Sequence, residues 1–219
     1  MAQRLAQAHS SFSSRPKQRQ ERAMRADIDI RHATIDDAQA LHELGVRTFV
    51  EAFGHAWKPE AMHEFLSASY SVEAIRTSLK DPNTLILMAF HRGNDAPAGF
   101  AVLLYGKPRP DLNPGEVAVS SESHTELEKF YVDKPFHGKG VAQALMDQVL
   151  RETRQRDCET KQRCRRVVWL RVWESNPRAI QFYRNRGFQE CGDVEIFDGF
   201  RDLVFEYPLD NGQGIAATC

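Results

Sequence analysis

Hydrophobic positions along the chain follow two periods, and together they predict a mixed α/β domain. Alternating or continuous apolar runs, rich in β-branched and aromatic residues, predict strands at 28–32, 84–91, 97–105, 126–132, 167–172, 195–197 and 203–207. Apolar residues three and four apart predict helices at 38–53, 59–70, 71–80, 138–154 and 177–185. The resulting order, β-α-α-α-β-β-β-α-β-α-β-β, predicts a mixed sheet with helices on both of its faces.

Turn and cap residues agree with these boundaries. Thr34 followed by Asp37 is typical of a helix start, and Ser71 is expected to cap the third helix. Residues 93–95 predict a hairpin turn, and Gly187 is expected to end the last helix. Residues 107–123 predict a long polar loop, of the kind that is often functional, and residues 155–163 predict a charged linker.

The chain is organised around residues 126–142, in which a strand, a glycine turn and a helix follow one another. Pro135 stops the strand because proline has no N–H for a sheet ladder. Gly138 and Gly140 allow close approach to the backbone at the start of the next helix. Free N–H groups and the positive end of the helix dipole meet there, so the stretch predicts an anion-binding site.

Length and composition indicate the domain organisation and the cellular location. The 219 residues suit one domain, at 27–209, with a basic tail at 1–26 and a polar tail at 210–219. No apolar run approaches the ~20 residues of a membrane-spanning helix. The four cysteines match no zinc spacing, which favours free thiols in a reducing compartment, the cytoplasm. The alternative is a mitochondrial location, with residues 1–25 acting as a transit peptide.

Charge is distributed unevenly. Residues 1–25 carry six basic residues and one acidic residue, whereas the rest of the chain carries 23 basic and 29 acidic residues. An acidic body favours cationic ligands and offers little to nucleic acid.

The glycine turn departs from two common nucleotide-binding patterns. A Walker A loop requires G-x-x-x-x-G-K-[ST], and a dinucleotide fingerprint requires a third glycine where this chain has Gln143. The turn instead resembles the acetyl-CoA loop of the GNAT acetyltransferase superfamily, [Q/R]-x-x-G-x-[G/A]. Here it is His137-Gly138-Lys139-Gly140-Val141-Ala142, with His in place of Gln or Arg at the first position.

A second stretch resembles the other hallmark of the same family, N-x-x-A-[IL]-x-[FL]-Y-x-x-x-G-F. All of its positions are filled: Asn176, Ala179, Ile180, Phe182, Tyr183, Gly187 and Phe188. The resemblance extends over residues 28–209 and implies the GNAT fold, a mixed, mostly antiparallel central sheet flanked by helices. Less specific features at 48–53, 59–70, 71–79 and 172–176 resemble the spermidine/spermine N-acetyltransferase subgroup.

The resemblance implies acetyl-CoA as cosubstrate and no metal. It implies that the pyrophosphate lies on the backbone of residues 138–143 and that the pantetheine arm pairs with the strand backbone of residues 130–132. The cofactor-binding residues it implies are Phe130, Tyr131, Val132, His137, Gly138, Lys139, Gly140, Val141, Ala142, Gln143, Asn176 and Tyr183. Asn176 is also expected to cap a helix.

Acetyl transfer requires a base for the ammonium group and an acid for the departing thiolate. The resemblance implies Tyr183 as the acid, whereas its spacing alone favours a core aromatic residue. Glu126 and Glu128 share a strand face and are the candidate bases, Glu126 first. The alternative is a solvated strand face, paired to Lys129 or an arginine. Glu51 and Glu174 are candidates for binding a cationic substrate.

The resulting prediction is direct acetyl transfer to a small cationic amine, most simply a polyamine. Three other acceptors remain open: an amino sugar, an aminoglycoside-like compound, or a protein N-terminus or lysine. A non-catalytic acyl-CoA sensor is the alternative from another class of protein. No nucleic-acid or membrane partner is expected, and a homodimer is left open.

Overall fold

The computed structural model describes residues 27–110, 124–160, 167–197 and 199–209, without the side chains of 157–160. Four expectations fall at least partly outside the described residues: the basic tail, residues 111–123 of the polar loop, residues 161–163 of the charged linker, and the C-terminal tail.

Seven strands and five α-helices are formed by the described residues. The strands are β1 (Ile28–His32), β2 (Thr84–His91), β3 (Pro97–Tyr105), β4 (His124–Val132), β5 (Val167–Trp173), β6 (Gln189–Phe197) and β7 (Phe200–Pro208). The helices are α1 (Ala38–Phe53), α2 (Pro59–Tyr70), α3 (Val72–Lys80), α4 (Val141–Thr160) and α5 (Pro177–Asn185). Short 3₁₀ turns lie at Ile35–Asp37 and Lys134–Phe136.

The strands form one sheet in the order β1-β2-β3-β4-β5-β7-β6. β1 pairs with β2, β5 with β7 and β6 with β7 in antiparallel fashion, whereas β4 and β5 are parallel. The predicted fold class, a mixed and mostly antiparallel sheet with helices, is confirmed. The chain divides into two compact units.

The first unit comprises residues 1–77, 87–100 and 131–147, described from residue 27 onward. Its α1 buries Leu41, Leu44 and Phe49. The Phe49 ring lies 4.6 Å from that of Phe65 and 5.7 Å from that of Tyr70, so aromatic packing joins α1 to α2. Gly45 is explained by this packing, because a Cβ there would lie 2.3 Å from a Tyr70 ring carbon.

The second unit comprises residues 78–86, 101–130 and 148–219. β7 lies between β5 and β6 and pairs with every residue of β5, from Val167↔Pro208 to Trp173↔Asp202. The core contributed by these strands is apolar, with Val168, Leu170 and Phe205 fully or almost fully buried. This pairing fixes which polar side chains share a face of the sheet.

Two boundary predictions around the fourth helix are wrong. α4 begins at Val141 rather than 138, because Gly138 and Gly140 have φ of 77° and 83°, outside the right-handed helical region. The helix continues to Thr160, so residues 155–160 are not a linker. The charged residues suggested a linker, but charged side chains can pack on the protein surface. The Arg156 guanidinium lies 4.1 Å from the Tyr105 ring centroid and donates to the Pro82 carbonyl.

The last hairpin is longer than predicted. β6 begins at Gln189 rather than 195, and β7 begins at Phe200 rather than 203. β6 is exposed along most of its length, so its sequence lacks the alternation that marks a half-buried strand. Its pairing with β7 defines it instead.

Candidate active site

The glycine turn of the first unit has the geometry expected of an anion site. Gly138 and Gly140 both adopt positive φ, and the Ala144 N–H donates to the Gly140 carbonyl at 3.0 Å, which closes the first turn of α4. In a helix that begins this way, the N–H groups of residues 141–143 lack a carbonyl one turn earlier and point out of its N-terminus. A phosphate placed there would meet these donors and the positive end of the helix dipole.

His137 is tied to the end of β4. Its Nε2 lies 2.8 Å from the Val132 carbonyl oxygen, so Nε2 carries the proton and donates. His137, which replaces the Gln or Arg of the acetyl-CoA loop pattern, therefore anchors the glycine turn to β4. Lys139 is exposed, with its Nζ 5.4 Å from the Phe136 ring centroid.

An ion pair holds the start of the turn. The Arg47 guanidinium donates twice to the buried Asp133 carboxylate, with Nη2–Oδ2 at 2.8 Å and Nε–Oδ1 at 3.3 Å. Asp133 also accepts from the Lys134 N–H at 3.1 Å. Arg47 belongs to α1, so the pair ties that helix to the first residue after β4. Arg47 carried no signal in the sequence beyond its charge.

The backbone N–H and C=O groups of Val132 point away from β3. The Asp133 N–H donates to the Ala98 carbonyl of β3 at 2.9 Å, and the Tyr131 carbonyl approaches Gly99 so closely that a Cβ there would lie 2.7 Å from its oxygen. N–H and C=O groups alternate between the two edges of a strand. The Val132 N–H therefore faces the edge opposite β3.

Among the described residues, the ladder between β4 and β5 in the second unit is short. The paired residues are His124↔Val167, Thr125↔Val168 and Glu126↔Trp169, although β4 and β5 both continue beyond this point. In the second unit, the backbone of residues 127–130 therefore has no registered β5 partner. A strand edge left open in this way can accept an extended ligand as an additional strand.

Glu126 and Glu128 lie in different surroundings although they share a strand face. Glu126 is 8% exposed, and its Oε1 lies 3.7 Å from Arg171 Nη2. Burial raises the pKa of the Glu126 carboxyl, and the positive charge of Arg171 opposes that rise. Glu128 is exposed and accepts from Lys129 Nζ at 2.7 Å. Both carboxylates thus have the basic neighbours expected of a charged strand face, and only Glu126 is desolvated as well.

Tyr183 is buried within an aromatic group of the second unit. Its ring centroid lies 5.5 Å from that of Phe182, 5.7 Å from Phe188 and 6.3 Å from Phe130. Such packing fixes the orientation of the ring, and a core role would produce the same contacts. Asn176 caps α5 as expected, its Oδ1 accepting from the Ala179 N–H at 3.1 Å.

The remaining predicted site residues are divided between the units. Glu51 belongs to the first and pairs with Lys134 Nζ at 3.2 Å. Glu174 belongs to the second and is exposed, and its N–H donates to the Arg201 carbonyl at 3.0 Å. In the described part of the chain, no three His, Cys, Asp or Glu residues converge as metal ligands. The described helices include none that could span a membrane.

Comparison with known proteins identifies the family. The model of the acetyltransferase (GNAT) family matches residues 38–188. An uncharacterized N-acetyltransferase of Mycobacterium tuberculosis (strain ATCC 25618 / H37Rv) is 33% identical over 156 residues, which cover 71% of this chain and 85% of that protein. A spermine/spermidine N(1)-acetyltransferase of Bacillus subtilis (strain 168) is 28% identical over 80 residues, which cover 36% of this chain and 48% of that protein.

A solved structure shares the fold. The PaiA N-acetyltransferase of Thermoplasma acidophilum, in complex with coenzyme A, superposes with a TM-score of 0.61 at 19% identity, over 83% of this chain and 98% of that one. The fold, the matched region and the relatives agree with both sequence motifs. The chain therefore belongs to the acetyltransferase (GNAT) family and is an acetyl-CoA-dependent N-acetyltransferase.

Proposed function

We propose that the protein transfers the acetyl group of acetyl-CoA directly to a primary amine of a small cationic substrate, a polyamine, without a covalent enzyme intermediate. The observation that carries the proposal is the end of the ladder between β4 and β5, whose last pair among the described residues is Glu126↔Trp169. The open backbone of β4 would bind the pantetheine arm as an added strand. The glycine turn would bind the pyrophosphate through the N–H groups at the start of α4.

The thioester would be activated by the backbone at the end of β4. The Val132 N–H, which faces the edge opposite β3, would donate to the carbonyl oxygen as negative charge develops on it. His137 supports this placement, because its hydrogen bond to the Val132 carbonyl fixes the neighbouring peptide group. Asn176 uses its side-chain oxygen for the helix cap, so its Nδ2 would be the group that contacts the cofactor.

Proton transfer would be divided between a carboxylate and a phenol. An alkylammonium has a pKa of about 10.4, so it must lose a proton before its nitrogen can attack the thioester carbon. The Glu126 carboxylate would accept that proton, helped by burial, which raises its pKa and makes it the stronger base. When the carbon–sulfur bond breaks, the Tyr183 hydroxyl would give its proton to the departing thiolate. The second proton, which the attacking nitrogen loses as it becomes an amide, would restore the phenol.

A polyamine acceptor is supported by charge and by a distant relative. Residues 26–219 hold 29 acidic residues against 23 basic ones, which favours a polycation. The partial similarity to the B. subtilis spermine/spermidine N(1)-acetyltransferase points the same way. Glu51 and Glu174 are the proposed contacts for its distal ammonium groups.

A thiol-release assay against an amine panel tests the proposal. The panel holds spermidine, spermine, putrescine, glucosamine, an aminoglycoside and a lysine peptide. We expect turnover on the polyamines and little on the others. Turnover on another amine alone would retain the mechanism and reject the polyamine. CoA binding without turnover on any amine would support the sensor alternative.

A further inference from the structure

Arg171 lies beside the proposed base on the neighbouring strand. Glu126 of β4 is paired with Trp169 of β5, and Arg171 follows two residues later on the same face. Arg171 Nη2 lies 3.7 Å from Glu126 Oε1, and the side chains are 38% and 10% exposed. The guanidinium therefore reaches a carboxylate that is largely shielded from water.

A second carboxylate lies diagonally across from Arg171 on the strand at the other side of β5. Asp202 lies on β7, opposite Trp173, which is two residues beyond Arg171 and shares its face. Burial raises the pKa of the Asp202 carboxyl, and the charge of Arg171 opposes that rise. Because β5 lies between β4 and β7, Arg171 interacts with one desolvated carboxylate on each neighbouring strand.

The other charges that face Glu126 act less strongly. Glu128 raises its pKa, while Lys107, from the segment after β3, and Lys129 lower it. Lys129 is paired with Glu128, so these two charges largely offset one another. Arg171 is the largest cationic influence on Glu126.

We propose that Arg171 is a positioning residue for the base Glu126, and that the charge of Asp202, its diagonal neighbour on β7, weakens this action. The inference rests on the proposed function, in which Glu126 accepts the proton of the amine. Arg171 would orient the carboxylate toward the acceptor amine and keep it ionised. Neither Arg171 nor Asp202 was singled out by the sequence, since an arginine in a strand and an aspartate in a hairpin are ordinary surface residues.

The two partners have opposite effects on the base. Without Arg171, only the weaker charges of Lys107 and Lys129 oppose the effect of burial, so the pKa of Glu126 rises further and the ionised base is lost at a higher pH. Without the negative charge of Asp202, the charge of Arg171 is less compensated, so we expect the pKa of Glu126 to fall. A role of these residues in packing alone, without their charges, would not produce shifts of opposite sign.

The test combines a ¹³C NMR titration of the Glu126 carboxyl with the pH profile of kcat/KM. Both are recorded on the full chain for wild type, Arg171→Gln, Arg171→Lys and Asp202→Asn. Arg201→Gln is the matched control, because Arg201 is a half-exposed arginine of β7 that pairs with Asp193. The titration of the substrate ammonium is common to all variants, so differences between profiles report on the enzyme.

We expect Arg171→Gln to raise the pKa of Glu126 in the NMR titration by roughly one unit, the lower end of the range for a neighbouring charge. The pKa of the acid limb of the kcat/KM profile should rise by the same amount. Arg171→Lys should restore most of the shift, Asp202→Asn should move both downward, and Arg201→Gln should match wild type. Wild-type titrations in both Arg171→Gln and Asp202→Asn, or shifts of the same sign, would overturn the inference.

Glu126→Gln separates this inference from the proposed function. If Glu126→Gln keeps the wild-type acid limb, Glu126 is not the base, and both the proposed base and its positioning residue are rejected. If Glu126→Gln abolishes the limb while the Arg171 and Asp202 variants leave it in place, only the inference about Arg171 fails.

Discussion

At the scale of single residues, Asp37 shows how one side chain secures the entry to a helix. Its carboxylate accepts from the Thr34 N–H at 2.7 Å and from the Thr34 hydroxyl at 2.9 Å, and it binds Arg31 Nη1 and Nη2 at 2.7 and 2.6 Å. Hydrogen bonds from Arg31, followed by those from Thr34, hold the pKa of Asp37 well below its usual range. The sequence predicted the pairing of Thr34 with Asp37, but not the arginine.

Replacing Asp37 with Asn should lower the free energy of unfolding at pH 7 by about 1–2 kcal/mol, since charge-assisted hydrogen bonds are lost and Arg31 is half exposed. A depressed pKa stabilises the fold above the unfolded-state value, near ~3.9, and this advantage disappears as the pH falls through the folded-state value. Urea unfolding should therefore show the difference from wild type narrowing below about pH 4. Asp36→Asn is the control, and equal stability of the two variants at pH 7 would contradict the prediction.

At the scale of elements, the regular periodicity of helices and strands was sufficient to predict nearly all of them. The boundary predictions were wrong where the polarity of the side chains is a poor guide to their burial or pairing. Arg156 looked like part of a linker although its guanidinium packs on Tyr105, and β6 lacked alternation because it is exposed. The motifs predicted the glycine turn at Gly138 and Gly140, both of which have positive φ, while its role in binding stays a prediction. Arg171 escaped prediction because its role depends on strand pairing between residues far apart in sequence.

Replacing Gly140 with Asp should abolish CoA binding in isothermal titration calorimetry, because a carboxylate would repel the pyrophosphate at the start of α4. Gly93→Asp is the matched control, since Gly93 also has positive φ (79°) and lies in the turn between β2 and β3. Both variants carry the same backbone strain and the same charge. Wild-type CoA affinity in Gly140→Asp, or an equal loss in Gly93→Asp, would reject the role of the glycine turn.

At the scale of the whole molecule, the distribution of charge supports the proposal of a polycationic substrate. The excess of acidic residues lies after residue 25, where the GNAT-like region is, and the basic excess lies before it. Attraction between an acidic body and a polyamine acts over distances comparable to the Debye length, which is about 10 Å at 0.1 M salt.

Raising NaCl from 50 to 300 mM should therefore lower kcat/KM for spermine by roughly three-fold or more, through weaker electrostatic steering. A singly charged primary amine should lose much less, and it serves as the control in the same assay. A kcat/KM for spermine that is independent of salt would argue against recognition by the acidic body.

The most direct test of acetyl transfer with Tyr183 as the acid is a comparison of Tyr183→Phe with wild type, measuring kcat by thiol release and the Kd for CoA. Tyr207→Phe is the control, because Tyr207 packs on Phe188 as Tyr183 does and accepts a hydrogen bond from Arg154. We predict that Tyr183→Phe lowers kcat by about 10²-fold or more while leaving the Kd for CoA near the wild-type value. An unchanged kcat, or an equal loss in Tyr207→Phe, would contradict the assignment of Tyr183.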